Sequence, residues 1–257
     1  MADIDSDLDP VRRAEEPDAK RRRAHVGTVA GTGIDVCATA DSTVAQGQAA
    51  DVGQVKAAGK TFVHILAFGD SLTAGGFGSR PYPLQLEELL NRRSEDGRRY
   101  KVHNAGICGD STEGMTERLP EEIADLGRAG IRPSFALTLG GTNDLGHMTP
   151  EQILRNLAKL REIVMAAGAT PVALTIPRDE FGLGPVARVV NKGLRAAAGS
   201  ADRGFPLVDL SCISEEYLCD GVHFNTAGYA QFAEMAWTAI KPVLKGDVAG
   251  ARLDSSK

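Results

Sequence analysis

From Thr61 onward the chain alternates short, β-branched apolar runs with longer segments of helical period, and no other feature constrains its fold as much. The runs Phe62 to Phe68, Tyr100 to Asn104, Phe135 to Leu139, Pro171 to Ile176 and Pro206 to Leu210 read as strands. Between and after them, Tyr82 to Asp96, Thr116 to Leu126, Pro150 to Ala167, Pro185 to Ala198 and Thr226 to Ile240 place apolar residues every three or four positions, as one face of a helix does. The best marked is Pro150 to Ala167. Thr149 can cap it, Pro150 suits its first position, Gln152 completes a capping box, and Gly168 stops it. Strands separated by helices of this length imply a parallel sheet covered on both faces. The expected fold class is α/β, a three-layer sandwich around a five-stranded parallel sheet.

At 257 residues and 42% hydrophobic content the chain has room for one sizeable core, which the alternating pattern places at residues 61–246. Met1 to Lys60 contains no Phe, Trp or Tyr and no helical or strand period, so it reads as a disordered extension, and residues from Gly246 to Lys257 read as a loose tail. Within the extension, Lys20-Arg21-Arg22-Arg23 follows Arg12-Arg13; such a run is solvated charge, a nuclear-import address or a contact with an anionic surface. The opening MADIDSDLDP lacks the basic and apolar regions of a secretory signal, and no apolar run approaches the roughly 20 residues that cross a bilayer. The expected location is cytoplasmic, with the nucleus as the alternative that the basic run would imply. Net charge is −5 and the 29 basic residues form no stripe interleaved with aromatics, which argues against a nucleic-acid partner. Cys37, Cys108, Cys212 and Cys219 form no CxxC pair and have no histidines at zinc-ligand spacing, so reduced thiols and no metal site are expected.

In such a sheet the loops that follow the strands open on one edge, where ligands bind. The first carries Gly69-Asp70-Ser71, a serine on a tight turn at the carboxyl end of a buried strand. Taken alone, this is equally a turn with an N-cap for the next helix. After the second strand, Gly106 and Gly109 leave backbone N–H groups open to close approach, as an oxyanion site requires. After the third, Gly140-Gly141-Thr142-Asn143-Asp144 ends in a side-chain amide donor; the alternatives are that Asn143 holds a turn and Asp144 caps the following helix. After the fifth, Asp220-Gly221-Val222-His223 pairs a carboxylate with an imidazole, so Asp220 can orient His223 while its other nitrogen faces Ser71. His25, His64, His103 and His147 read as surface or structural residues. Neither glycine-rich turn has the GxGxxG or GxxxxGK[ST] spacing of a nucleotide cradle. A nucleophile, a glycine donor, an amide donor and an Asp-His pair after strands one, two, three and five argue together against coincidence.

On these residues the chain resembles the GDSL or SGNH hydrolase superfamily, defined by blocks that supply a serine, a glycine, an asparagine and a histidine. Gly69-Asp70-Ser71-Leu72 matches the first block, NAGICGDST around Gly109 the second, Gly141-Thr142-Asn143-Asp144 the third, and Asp220 with His223 the last; the likeness covers about Phe62 to Leu244. The resemblance implies a flavodoxin-like sheet in the order 2-1-3-4-5 and hydrolysis of esters or thioesters without a cofactor. In that reaction Ser71 is the nucleophile, His223 held by Asp220 is the base, and Ser71, Gly109 and Asn143 form the oxyanion hole. An acyltransferase using the same serine, and a non-catalytic ligand-binding module on the same scaffold, are the alternatives. The expected partner is a small-molecule or lipid ester: short acyl esters, acylated sugars, lysophospholipids and thioesters all fit an open groove without a lid. The segment Arg178 to Pro185 is the expected specificity loop, with Phe181 either lining an acyl pocket or incidental. Cys108 and Cys219 adjoin Gly109 and Asp220, and read either as small buried side chains or as thiols whose modification disturbs the site.

Overall fold

A computed structural model describes residues 62–76, 78–95, 97–200 and 204–250, with side chains as far as Leu244. Met1 to Lys60, with its basic run Lys20 to Arg23, Cys37 and His25, lies outside the described residues. The strands are β1 (Phe62–Gly69), β2 (Arg99–Gly106), β3 (Pro133–Leu139), β4 (Thr170–Leu174) and β5 (Leu207–Val208). All pair in parallel, in the order β2-β1-β3-β4-β5. The α/β sheet and the strand order are therefore those expected.

Alternate residues of the strands face opposite sides of the sheet, and each side has its own core. Ile65, Ala67, Phe135 and Leu137 face α2 (Tyr82–Arg93) and α6 (Thr226–Gly250), where Tyr82 stacks on Phe232 with ring centroids 3.8 Å apart. Leu66, Phe68 and Ala136 face α3 (Thr112–Arg128), α4 (Pro150–Ala166) and α5 (Pro185–Ala198), through Met115, Leu119, Ile153, Leu160 and Val190. The capping box of α4 forms as expected: the Thr149 hydroxyl accepts from the Gln152 N–H, and the Gln152 side chain accepts from the Thr149 N–H.

Several boundaries differ from expectation, each for a local reason. Between β1 and α2 lies an additional one-turn helix, α1 (Ser71–Ala74), capped by the Asp70 carboxylate, which accepts from the Leu72 N–H. The α3 helix begins at Thr112 instead of Thr116 because the Ser111 hydroxyl accepts from the Gly114 N–H. The β4 strand stops at Leu174, since the N–H and C=O of Ile176 are both taken by the buried side-chain amide of Asn191, each at 2.8 Å. The α6 helix continues beyond Ile240 through Pro242 to Gly250, taking in the start of the segment read as a loose tail. Among the described residues no helix is long and apolar enough to cross a membrane.

Candidate active site

Ser71 is the first residue of α1, separated from the end of β1 only by Asp70, and the close packing there explains Gly69. A Cβ at Gly69 would come within 2.4 Å of the Thr73 hydroxyl and 2.5 Å of the Leu139 carbonyl oxygen, so only glycine lets β1, β3 and the new helix meet. The N-cap reading of this turn holds: Asp70 caps the helix that Ser71 begins.

The last block arrives from the far end of the chain. His223 Nε2 lies 2.8 Å from Ser71 Oγ, and His223 Nδ1 lies 2.7 Å from Asp220 Oδ2. The other oxygen of Asp220 accepts the backbone N–H groups of Val222 and His223, at 3.1 and 2.7 Å, which winds the four residues into a closed turn. Gly221 makes the turn possible with φ at 88°. Burial pushes the Asp220 carboxyl up, but the backbone and ring hydrogen bonds from His223 and the N–H of Val222 outweigh it and hold the pKa below the usual carboxylate range. The Cys219 N–H donates to the His223 carbonyl at 2.8 Å, and the Glu180 N–H donates to the Gly221 carbonyl at 2.8 Å, so the loop after β4 buttresses this turn.

The glycine and amide loops meet beside the serine's strand. Gly109 adopts φ 76° on an exposed turn, and the following Asp110 accepts at its carbonyl from Asn143 Nδ2 at 3.0 Å. Asn143 thus bridges to the neighbouring loop instead of only stabilising its own turn. Gly141, at φ 113°, turns the chain into the short 3₁₀ segment Thr142–Asp144 that presents it. Asp144 does not cap the following helix, a role that Thr149 takes. It is fully buried and accepts from the Thr112 N–H and hydroxyl at 3.0 to 3.1 Å, while Asn156 Nδ2 donates to the same hydroxyl. This carboxylate fastens the Asn143 loop to the start of α3.

Sequence reasoning passed over two contributors here, the Asp110 carboxylate and Arg118, which meet at 2.8 Å; an arginine on an amphipathic helix gives no signal beyond a solvated face. Cys108, Cys212 and Cys219 are free thiols, and the reading of Cys108 and Cys219 as small buried side chains is corrected, since both are exposed. Phe181 sits at the tip of a tight turn closed by Asp179 and Gly182 and is 90% exposed, so it lines no pocket. His64 and His103 pair with each other on β1 and β2, ring nitrogens 3.0 Å apart, and His147 is exposed, its N–H donating to the Asp144 carbonyl at 3.1 Å. Among the described residues no group of three or more His, Cys, Asp or Glu side chains is arranged to hold a metal.

A parallel three-layer sheet of this order, with serine, glycine, asparagine and histidine blocks brought to its carboxyl edge, is the architecture of a flavodoxin-like hydrolase. Residues 67–231 match the GDSL-like lipase/acylhydrolase family, and the chain belongs to that family. It is an enzyme, a carboxylic ester hydrolase of the GDSL type. Esterase TesA of Pseudomonas aeruginosa is 29% identical over 185 residues, 70% of this chain and 89% of that one. A crystal structure of TesA has a TM-score of 0.56 at 28% identity, covering 70% of this chain and 98% of that one. A lipolytic protein of the G-D-S-L family from Veillonella parvula shares the fold, with a TM-score of 0.55 at 23% identity over 70% of this chain and 98% of its own.

Proposed function

We propose that the enzyme hydrolyses small carboxylic esters through an acyl-enzyme on Ser71. The observation that carries this is the alignment of Ser71 Oγ, the two ring nitrogens of His223 and Asp220 Oδ2 at 2.8 and 2.7 Å. Asp220 holds the imidazole with its proton on Nδ1, so Nε2 takes the proton of Ser71 as Oγ attacks the ester carbonyl. The charge that develops on the carbonyl oxygen is met by the backbone N–H groups of Ser71 and Gly109 and by the amide of Asn143. The imidazolium gives its proton to the departing alcohol; Nε2 then takes a proton from water as the water oxygen bonds to the acyl carbon, and passes it to Ser71 Oγ as the bond between Oγ and the acyl carbon breaks and the acid leaves. Asn143 has a second amide hydrogen for this purpose while its first remains on Asp110.

Substrate preference follows from exposure. Ile107 is 49% exposed and Cys108 and Gly109 are exposed, so a long acyl chain beside them would keep much of its surface in water. Each methylene contributes about 0.8 kcal/mol only where it is fully buried. The Pseudomonas relative is an esterase, which agrees with ester substrates. The test is turnover of p-nitrophenyl acetate, butyrate, octanoate and palmitate, beside a palmitoyl thioester. Short esters should be turned over with kcat/KM flat or falling along the series; a rise of tenfold or more toward palmitate would overturn the short-chain assignment.

A further inference from the structure

Arg118 stands on the second turn of α3 with its side chain 18% exposed, and its guanidinium is surrounded by acceptors from three different parts of the chain. Nε and Nη2 donate to Asp110 Oδ2 at 3.0 and 2.8 Å. Nη1 donates to the carbonyl of Ala105, near the end of β2, at 2.9 Å, and Nη2 to the carbonyl of Gly69, the last residue of β1, at 3.2 Å. The guanidinium carbon lies 3.9 Å from the centre of the Phe68 ring, so its remaining surface stacks on an aromatic face. Four hydrogen bonds and a stacked face use nearly everything a guanidinium can offer, and no ammonium could reproduce the fork.

What these acceptors have in common is their position. Gly69 is two residues before Ser71, Asp110 directly follows Gly109, and the Asp110 carbonyl is the acceptor for Asn143 Nδ2. The Ile107 N–H also donates to the Gly69 carbonyl, at 2.9 Å, so the Arg118 side chain closes a loop of contacts that begins and ends at the nucleophile's strand. We propose that Arg118, through Asp110, is the positioning residue of the oxyanion site: it fixes the Ser71, Gly109 and Asn143 donors relative to one another. The proposal rests on the reading of those three groups as oxyanion donors. A donor displaced by an ångström weakens the hydrogen bond that matters in the transition state and hardly changes how the ground-state ester binds. Loss of Arg118 therefore lowers kcat and leaves KM nearly alone, which a general loosening of the fold would not do selectively.

The experiment uses the full chain and p-nitrophenyl butyrate. Arg118→Lys, Arg118→Gln, Asp110→Asn, Asn143→Ala and the double variant Arg118→Gln/Asn143→Ala are assayed well below the melting temperature of each. Each Arg118 variant should lose roughly 10- to 10²-fold in kcat with KM within about threefold, and Asp110→Asn should do the same. In the Arg118→Gln background, Asn143→Ala should cost at most a third of its cost in the otherwise unchanged enzyme, because a donor already misplaced has less to lose. If Asn143→Ala lowers kcat but folded Arg118 variants do not, or if the two losses multiply, the positioning role is overturned and the oxyanion reading stands. If Asn143→Ala alone leaves kcat unchanged, the oxyanion reading fails and the proposal fails with it. Should Arg118→Gln not fold, Arg118→Lys and Asp110→Asn carry the same comparison.

Discussion

Ser71 and His223, 152 positions apart in the chain, meet with Oγ and Nε2 2.8 Å apart, because the first and last strand-following loops of the sheet open on one edge. The mechanism proposed for the enzyme depends on that distance and on the carboxylate behind it. Ser71→Ala should fold normally and lose nearly all ester turnover, and Asn143→Ala should lower kcat by roughly 10²-fold, the usual scale for one oxyanion donor. Steady-state kinetics beside circular dichroism checks both.

Asp220→Asn keeps the size of the side chain and removes its charge. With an amide in place of the carboxylate, the imidazole loses the partner that selects its tautomer, and kcat should drop on the order of 10³- to 10⁴-fold. Because its hydrogen bonds hold Asp220 below the usual carboxylate range, it stays ionised from pH 5 to 8 and should contribute no inflection to the pH–rate profile there. An activity loss under tenfold in a folded Asp220→Asn enzyme would show that the imidazole does not depend on this carboxylate.

Asp70 behaves in the opposite way. Burial pushes its carboxyl up to about 7, opposed by the Leu72 N–H and reinforced by the Asp110 and Asp144 carboxylates. Its Oδ2 and the hydroxyls of Thr73, Tyr82 and Tyr229 are buried without hydrogen-bond partners among the described residues. The unfolded chain loses this proton near pH 4 and the folded one near pH 7, so between those values the native state binds more protons and stability falls as pH rises. The slope is at most about 1.4 kcal/mol per pH unit. Asp70→Asn removes the titration, so its melting temperature relative to the native enzyme should increase from pH 5 to pH 7 and then level off. Parallel melting curves across that range would rule out the shift.

Much of this was legible from the sequence, for reasons that differ by element. The parallel sheet and the helices α4 and α5 follow from strong periodicity and clear end signals, the strand order from the resemblance that the four blocks carry, and the blocks themselves are local motifs whose convergence follows from the topology. What was illegible depends on contacts distant in sequence. The β4 strand looks longer than it is because Asn191, on another element, intercepts the backbone of Ile176. The β5 strand reads as Pro206 to Leu210 in the sequence but pairs only at Leu207–Val208, since Asp209 bends the chain by accepting from the Ser211 N–H and the Thr175 hydroxyl. The start of α3 is hidden by Gly114, which reads as loop until Ser111 is seen to cap it. Arg118 has no sequence signature, because its acceptors are a carboxylate eight residues away and two backbone carbonyls, which no motif marks.

Cys219 offers a check on the Asp-His turn. Burial and the adjacent Asp220 carboxylate push its thiol above the ordinary range, so iodoacetamide should modify it slowly at pH 7 and faster as pH rises. Its N–H holds the His223 carbonyl, so a bulky adduct there should lower turnover, while Cys219→Ala should keep most activity and resist the reagent. Peptide mass spectrometry paired with an ester assay reads both. Full modification without loss of activity would show that the turn tolerates added bulk.

The central claim is that Ser71 is an activated nucleophile, and the most direct measurement is the site and stoichiometry of fluorophosphonate labelling, read by intact-protein and peptide mass spectrometry. The account predicts one adduct per chain, on Ser71, formed at a rate that falls steeply in His223→Ala and absent in Ser71→Ala. Labelling at another residue, or a catalytically active native enzyme that takes up no label at Ser71, would contradict it.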